Sequence, residues 1–135
     1  MALVTRRATA GVDGVSASRT PALSGDFIAG ETLDAAAPVY IRNSDGRVFM
    51  SNGTAVNEAA KVHGFTARRC LVGETVTLLA PHTRFGYGSG LARGARLFLG
   101  ATAGRLDDVA TIGDTVGVAF VVNDTDIVFS DHKLV

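Results

Sequence analysis

The sequence predicts an all-β fold: a small β-barrel or sandwich built from two similar hairpin-containing halves, preceded by an extended N-terminal arm. Three observations carry this. A hairpin-like stretch occurs twice, at Leu33–Val48 and again at Leu91–Leu106, in an ungapped register offset by 58 residues. Sixteen glycines, three prolines and no tryptophan suit many short strands joined by tight turns. Short alternating or apolar runs such as Thr75-Val76-Thr77-Leu78 and Ile127-Val128-Phe129 recur at the end of each half.

In the repeat, Leu33 falls on Leu91, Ala37 on Ala95, Gly46 on Gly104 and Arg47 on Arg105. Val39-Tyr40-Ile41 falls on Leu97-Phe98-Leu99. Each copy reads as strand, turn, strand. Asn43-Ser44-Asp45-Gly46 is a strong turn signal, because Asp-Gly supplies the positive φ that a short hairpin needs; Ala103-Gly104 keeps only the glycine.

Residues 1–25 form the expected arm, and 26–135 a single β domain with pseudo-repeats over about 29–80 and 88–130. The arm is rich in Ala, Thr, Ser and Gly, and carries Arg6, Arg7 and Arg19 against Asp13. Such a composition buries too little apolar surface to order itself, so the arm is expected to order on a neighbouring subunit. Gly30-Glu31 reads as a turn into the first hairpin. Asn52–Ala60 is small and Ala-rich, which suggests a turn or two of helix starting near Thr54. Lys61–Arg69 resumes strand, with Gly64 marking a bulge or a close approach. Gly73-Glu74 turns into the strand Thr75–Leu79. Pro81–Gly90 breaks the pattern and reads as the crossover between halves. Asp107-Asp108 suggests the start of one helical turn. Val116–Val122 is the most hydrophobic run and the expected central strand; Ile127–Phe129 closes the sheet.

A single domain of 135 residues can bury a core without staples. Thirteen basic and thirteen acidic residues cancel, which argues against nucleic acid as the main partner. Cys70 is the only cysteine, so no disulfide forms within the chain; it reads as a small buried residue. The first residues hold no secretory apolar stretch, and the longest apolar run is far too short to span a membrane. The expectation is a protein made in a cytoplasm, with no membrane partner. His63, His82 and His132 show no ligand spacing. Phe85-Gly86-Tyr87-Gly88-Ser89-Gly90 lacks the Lys-Ser/Thr ending and following helix of a phosphate loop, and Gly88-Ser89-Gly90 lacks the context of a nucleophile elbow. Arg68-Arg69 on a strand would point to opposite faces. No catalytic residue, cofactor or metal is therefore expected.

The stretch from about Ala29 to Val128 resembles tailed-phage capsid decoration, or cement, proteins. The likeness rests on Gly30-Glu31-Thr32-Leu33, Pro38–Ile41 followed by Asp45–Val48, Lys61–Phe65, Gly73–Leu78, Arg84–Gly88, Gly94–Leu99, Val118–Val121 and Ile127. These are turn glycines and strand hydrophobes, with no catalytic residue to transfer. The resemblance implies a non-enzymatic virion protein, often a homotrimer, on the capsid surface, where it bridges major capsid subunits. Under it, Arg6, Arg7, Arg19, Phe85 and Tyr87 become the expected contacts to the capsid or a neighbouring subunit. The alternative is a head-fibre or adhesin-type β module that binds a host-surface glycan or receptor.

Overall fold

The computed structural model describes Leu3 and residues 27–130. The predicted arm, apart from Leu3, lies outside the described residues. The chain is all-β, with two antiparallel sheets and a single short 3-10 turn among the described residues.

The first sheet contains β1 (Pro38–Ile41), β2 (Val48–Met50), β3 (Gly64–Thr66) and β4 (Leu78–Leu79), in the order β2-β1-β3-β4. The second contains β5 (Arg84–Gly86), β6 (Arg96–Leu99), β7 (Leu106–Asp107), β8 (Ala119–Val121) and β9 (Asp126–Phe129), in the order β5-β9-β8-β6-β7. Omit β5 and the two orders are the same. Each half has a hairpin, a third strand that pairs back on the hairpin's first strand, and a fourth that pairs on the third. Registers agree as well: Val39 faces Gly64 in one sheet and Leu97 faces Ala119 in the other.

The hairpins form where the turn glycines allow. Gly46 (φ +71°) donates to the carbonyl of Arg42, and Gly104 sits at φ +78°. A Cβ at Gly46 would meet open space, whereas one at Gly104 would collide with the Met50 side chain. The second hairpin turn is thus packed against the first half. Ala36 (φ +54°) and Gly94 (φ +77°) are related by the same 58-residue offset, and both are left-handed. Each donates to the third strand of its own sheet, Ala36 to Thr66 and Gly94 to Val121.

Some expectations are corrected. The Asn52–Ala60 stretch makes only a 3-10 turn at Glu58–Ala60, capped by Asn57 rather than Thr54. Asp107 ends β7, paired with Phe98, instead of starting a helical turn; its carboxylate accepts the Val109 amide. The crossover region contains a strand: β5 pairs with β9, held by the Arg84–Asp126 ion pair at 2.9 Å. Arg68 and Arg69 lie beyond β3, both exposed. Gly64 does mark a close approach, since a Cβ there would stand 3.0 Å from Leu78 Cβ. β8 is central, between β9 and β6.

Two apolar clusters hold the body. Ala29, Leu33, Ala37, Val39, Val48, Cys70, Val76 and Leu78 fill the first half. The larger cluster fills the second half and reaches into the first through Val62, Phe65 and Leu79. Phe65 from β3 meets Phe85 and Phe129, with ring centroids 5.1 Å away in each case.

The unequal surroundings of the two turn glycines have a measurable result. Gly46→Ala adds only backbone strain and is expected to cost about 1 kcal/mol; Gly104→Ala adds the Met50 clash and is expected to cost about 2–3 kcal/mol. Urea unfolding of both variants checks the order, and equal losses would contradict the packed second turn.

Candidate functional site

Five residues were expected to touch a partner. Arg6, Arg7 and Arg19 lie outside the described residues. Phe85 and Tyr87 are fully buried, so the structure corrects their assignment as surface contacts. Phe85 is on β5, facing Ile127, and packs in the shared core. Tyr87 donates its amide to Thr125 at 2.9 Å, and its hydroxyl accepts the Leu106 amide at 3.2 Å.

The pseudo-repeat explains Tyr87. The 58-residue offset places Ala29 at its counterpart and Val48 at the counterpart of Leu106. In the first half Val48 donates to the Ile28 carbonyl and accepts from Gly30, both at 2.9 Å. Ala29 also donates to Glu74 on the other side. Residues 28–30 therefore run between β2 and the segment that leads into β4. In the second half a phenol oxygen, not a backbone carbonyl, receives the Leu106 amide. The outward neighbour of β7 is instead Leu3, which bridges Asp107 in antiparallel fashion.

Concave regions among the described residues include two grooves. The larger, about 630 Å³, is an open groove at the end of the first hairpin, lined by Ile41, Arg42, Asn43, Glu58, Lys61 and His63. His63 Nδ1 accepts the Ile41 amide at 3.0 Å, and its own amide donates to Val39. Burial, reinforced by nearby Lys61 and opposed by Glu58, holds the imidazole below its usual pKa. At the rim, Arg42 pairs with Asp45 and lies 4.0 Å from the centre of the Phe49 ring. The hydrogen bond from Arg42, with that from the Arg47 amide, lowers the Asp45 carboxyl to about 2. The smaller groove, about 270 Å³, lies beside Leu3.

Other candidates resolve into structural roles. Cys70 is buried among backbone carbonyls, and burial raises its thiol pKa, which disfavours the thiolate. Asp114 is buried and accepts the amides of Leu99, Val116 and Gly117. His82 is exposed at φ +70°, and His132 is outside the described residues. Among the described residues no group of three or more His, Cys, Asp or Glu could hold a metal, and no helix is long and apolar enough to cross a membrane.

The sequence reading missed a set of exposed apolar side chains. Val56 is 79% and Ile112 72% exposed. They stand on two loops that touch, because the Gly113 amide donates to Gly53 at 2.7 Å while Gly53 donates to Gly100 at 2.8 Å. Val116, also exposed, follows on the second loop. Neither a scan against protein-family models nor a search of the curated proteins returns a match to this chain.

Tyr87→Phe is expected to cost about 1–2 kcal/mol, since it leaves the buried Leu106 amide without its acceptor; an unchanged urea midpoint would refute the stabilising role of that hydroxyl. For His63 the native state resists protonation, while the unfolded chain takes up a proton near pH 6.5. Stability should therefore fall as pH drops below about 6.5 and level off below the folded pKa. His63→Gln, whose side-chain oxygen can still accept the Ile41 amide, should remove that part of the slope in unfolding measured from pH 7.5 to 5. A variant as steep as the parent would refute the assignment.

Proposed function

We propose that the protein is a structural virion component that binds the outer surface of a phage capsid and stabilises the shell by bridging major capsid subunits. The carrying observation is the exposed apolar set at Val56 and Ile112. These side chains sit on loops tied to each other and to the second hairpin turn by backbone hydrogen bonds, so they cannot fold inward without breaking those bonds. Apolar side chains held out on a firm base are what a covering partner would use. The resemblance to cement proteins supplies the partner and the trimeric form. The non-enzymatic character belongs to the same reading, and the chemistry-bearing groups described above have structural duties that agree with it.

One observation favours a second reading, a glycan- or receptor-binding module. Tyr40 and Phe49 face each other across the first hairpin, with ring centroids 6.1 Å apart, and both are partly exposed near the open polar groove. An aromatic face beside hydrogen-bonding groups is one way to hold a sugar ring.

Sedimentation separates the two. The protein is mixed with empty expanded heads of its own virus and, separately, with host cells. Co-sedimentation with heads is expected. Val56→Asp combined with Ile112→Asp should weaken it by at least about tenfold, as loss of a buried apolar anchor would, with the unfolding midpoint nearly unchanged. Binding to cells alone, or a double variant that binds heads as well as the parent, would overturn the capsid reading.

A further inference from the structure

We infer that the outer face of the second sheet, around Phe120 and Arg96, is a second contact for the capsid, and that the capsid meets it with an apolar side chain beside a carboxylate. This rests on the capsid reading and adds the chemistry that the shell must present.

Strand pairing matches the two sheets position by position. Val39 faces Gly64 as Leu97 faces Ala119, so Phe120 of β8 stands where Phe65 stands in β3. The separation is 120 − 65 = 55 residues, so the ungapped 58-residue alignment does not show this match. Across its sheet Phe65 lies between Pro38 and Leu79; Phe120 lies between Arg96 and Val128. In the first sheet all three members of the row are buried, and Phe65 and Leu79 enter the core of the second half. In the second sheet the same row is uncovered. Phe120 is 41% exposed although β8 is a central strand, Arg96 is exposed and Val128 is half-buried. The face that docks one half onto the other thus has an uncovered counterpart, which keeps an aromatic and a branched aliphatic side chain side by side.

A single exposed phenylalanine needs no partner. Phe120, however, is not isolated. The aliphatic stem of Arg96 lies over Gly117, where a Cβ would collide with its Cγ and Cδ. Gly117 follows the exposed Val116 on the loop that carries Ile112. The apolar set at Val56, Ile112 and Val116 therefore continues through the Arg96 stem to Phe120 and Val128.

Charge selects the occupant. At one end of the row Arg84 is paired with Asp126 on the same face, at 2.9 Å. Arg96, at the other end, is in no ion pair among the described residues. Its planar fork of donors beside an exposed ring fits a carboxylate next to an apolar side chain. Nucleic acid would want several cations, and along this row only one is unmatched. The row crosses four strands, about 14 Å, so about four extended residues of the partner cover it.

The test uses the full chain and empty expanded heads. Phe120→Thr, which keeps a strand-forming residue, Arg96→Gln and Arg96→Glu are compared with the parent by co-sedimentation, with Val56 and Ile112 left in place. Phe120→Thr and Arg96→Glu should each weaken head binding at least about tenfold, and Arg96→Gln several-fold, with urea midpoints close to the parent's. Parent binding should also weaken from about 50 to about 500 mM salt, and Arg96→Gln should flatten that dependence. If all three variants bind heads like the parent, the second contact is wrong, while the capsid reading stands on the loop residues. A salt dependence unchanged in Arg96→Gln would remove the carboxylate. If the parent binds no heads, both readings fall together. If the variants instead abolish self-association in analytical ultracentrifugation and leave head binding intact, the face belongs to a second copy and the inference is equally overturned.

Discussion

The contact between Phe65 and the pair Phe85 and Phe129 is the constraint on which the rest of the structure depends. Each sheet alone has strands of two to four residues, too short to be independently stable. Phe65 projects from the first sheet and completes the core of the second, so the larger core is not whole until the halves meet. The aromatic rings gain from their tilted and edge-on geometry in addition to the area they bury. The hydrogen bonds among Ser51, Gly53, Gly100, Gly104 and Gly113 then lock the loops at the same junction. That is why the exposed Val56 and Ile112 stand on a firm base.

The repeat makes the differences between halves informative. Where a position changes character between copies while the backbone keeps its course, the change marks a different task. Ala29 lets the backbone of residues 28–30 approach β2; Tyr87 fills the corresponding space with a ring and passes its hydroxyl to Leu106. Gly100 opens a space where Arg42, its counterpart, projects outward and pairs with Asp45. These substitutions replace an edge sealed by adjacent chain with one met by Leu3, far away in sequence.

Much of the fold was legible in the sequence. Gly46 and Gly104 announced the hairpins, and the run from Val116 announced the central strand, because positive φ and apolar density are local properties. What was not legible depends on distant partners. β5 hid within a glycine-rich stretch, since its glycines read as a linker although the backbone of Gly86 still pairs with Asp126. Phe85 and Tyr87 read as exposed aromatics because nothing nearby in sequence reports that Phe65 and Leu106 will enclose them. Ala36 gave no sign of a left-handed backbone, which only its tie to Thr66 requires. Asp107 carries the residue type of a helix cap, but its place at the end of β7 lets its carboxylate turn back on Val109. Val56 and Ile112 were concealed by small-residue surroundings that read only as connections.

The short link from β4 to β5 has a consequence for how the body holds together. Two like units joined by a few residues meet at a very high effective concentration, of order millimolar or above. A pair of separate chains with the same interface would come apart in a dilute medium; this pair cannot. The duplicated body therefore keeps its shape at any abundance, and only contacts with other molecules remain sensitive to how many copies are made.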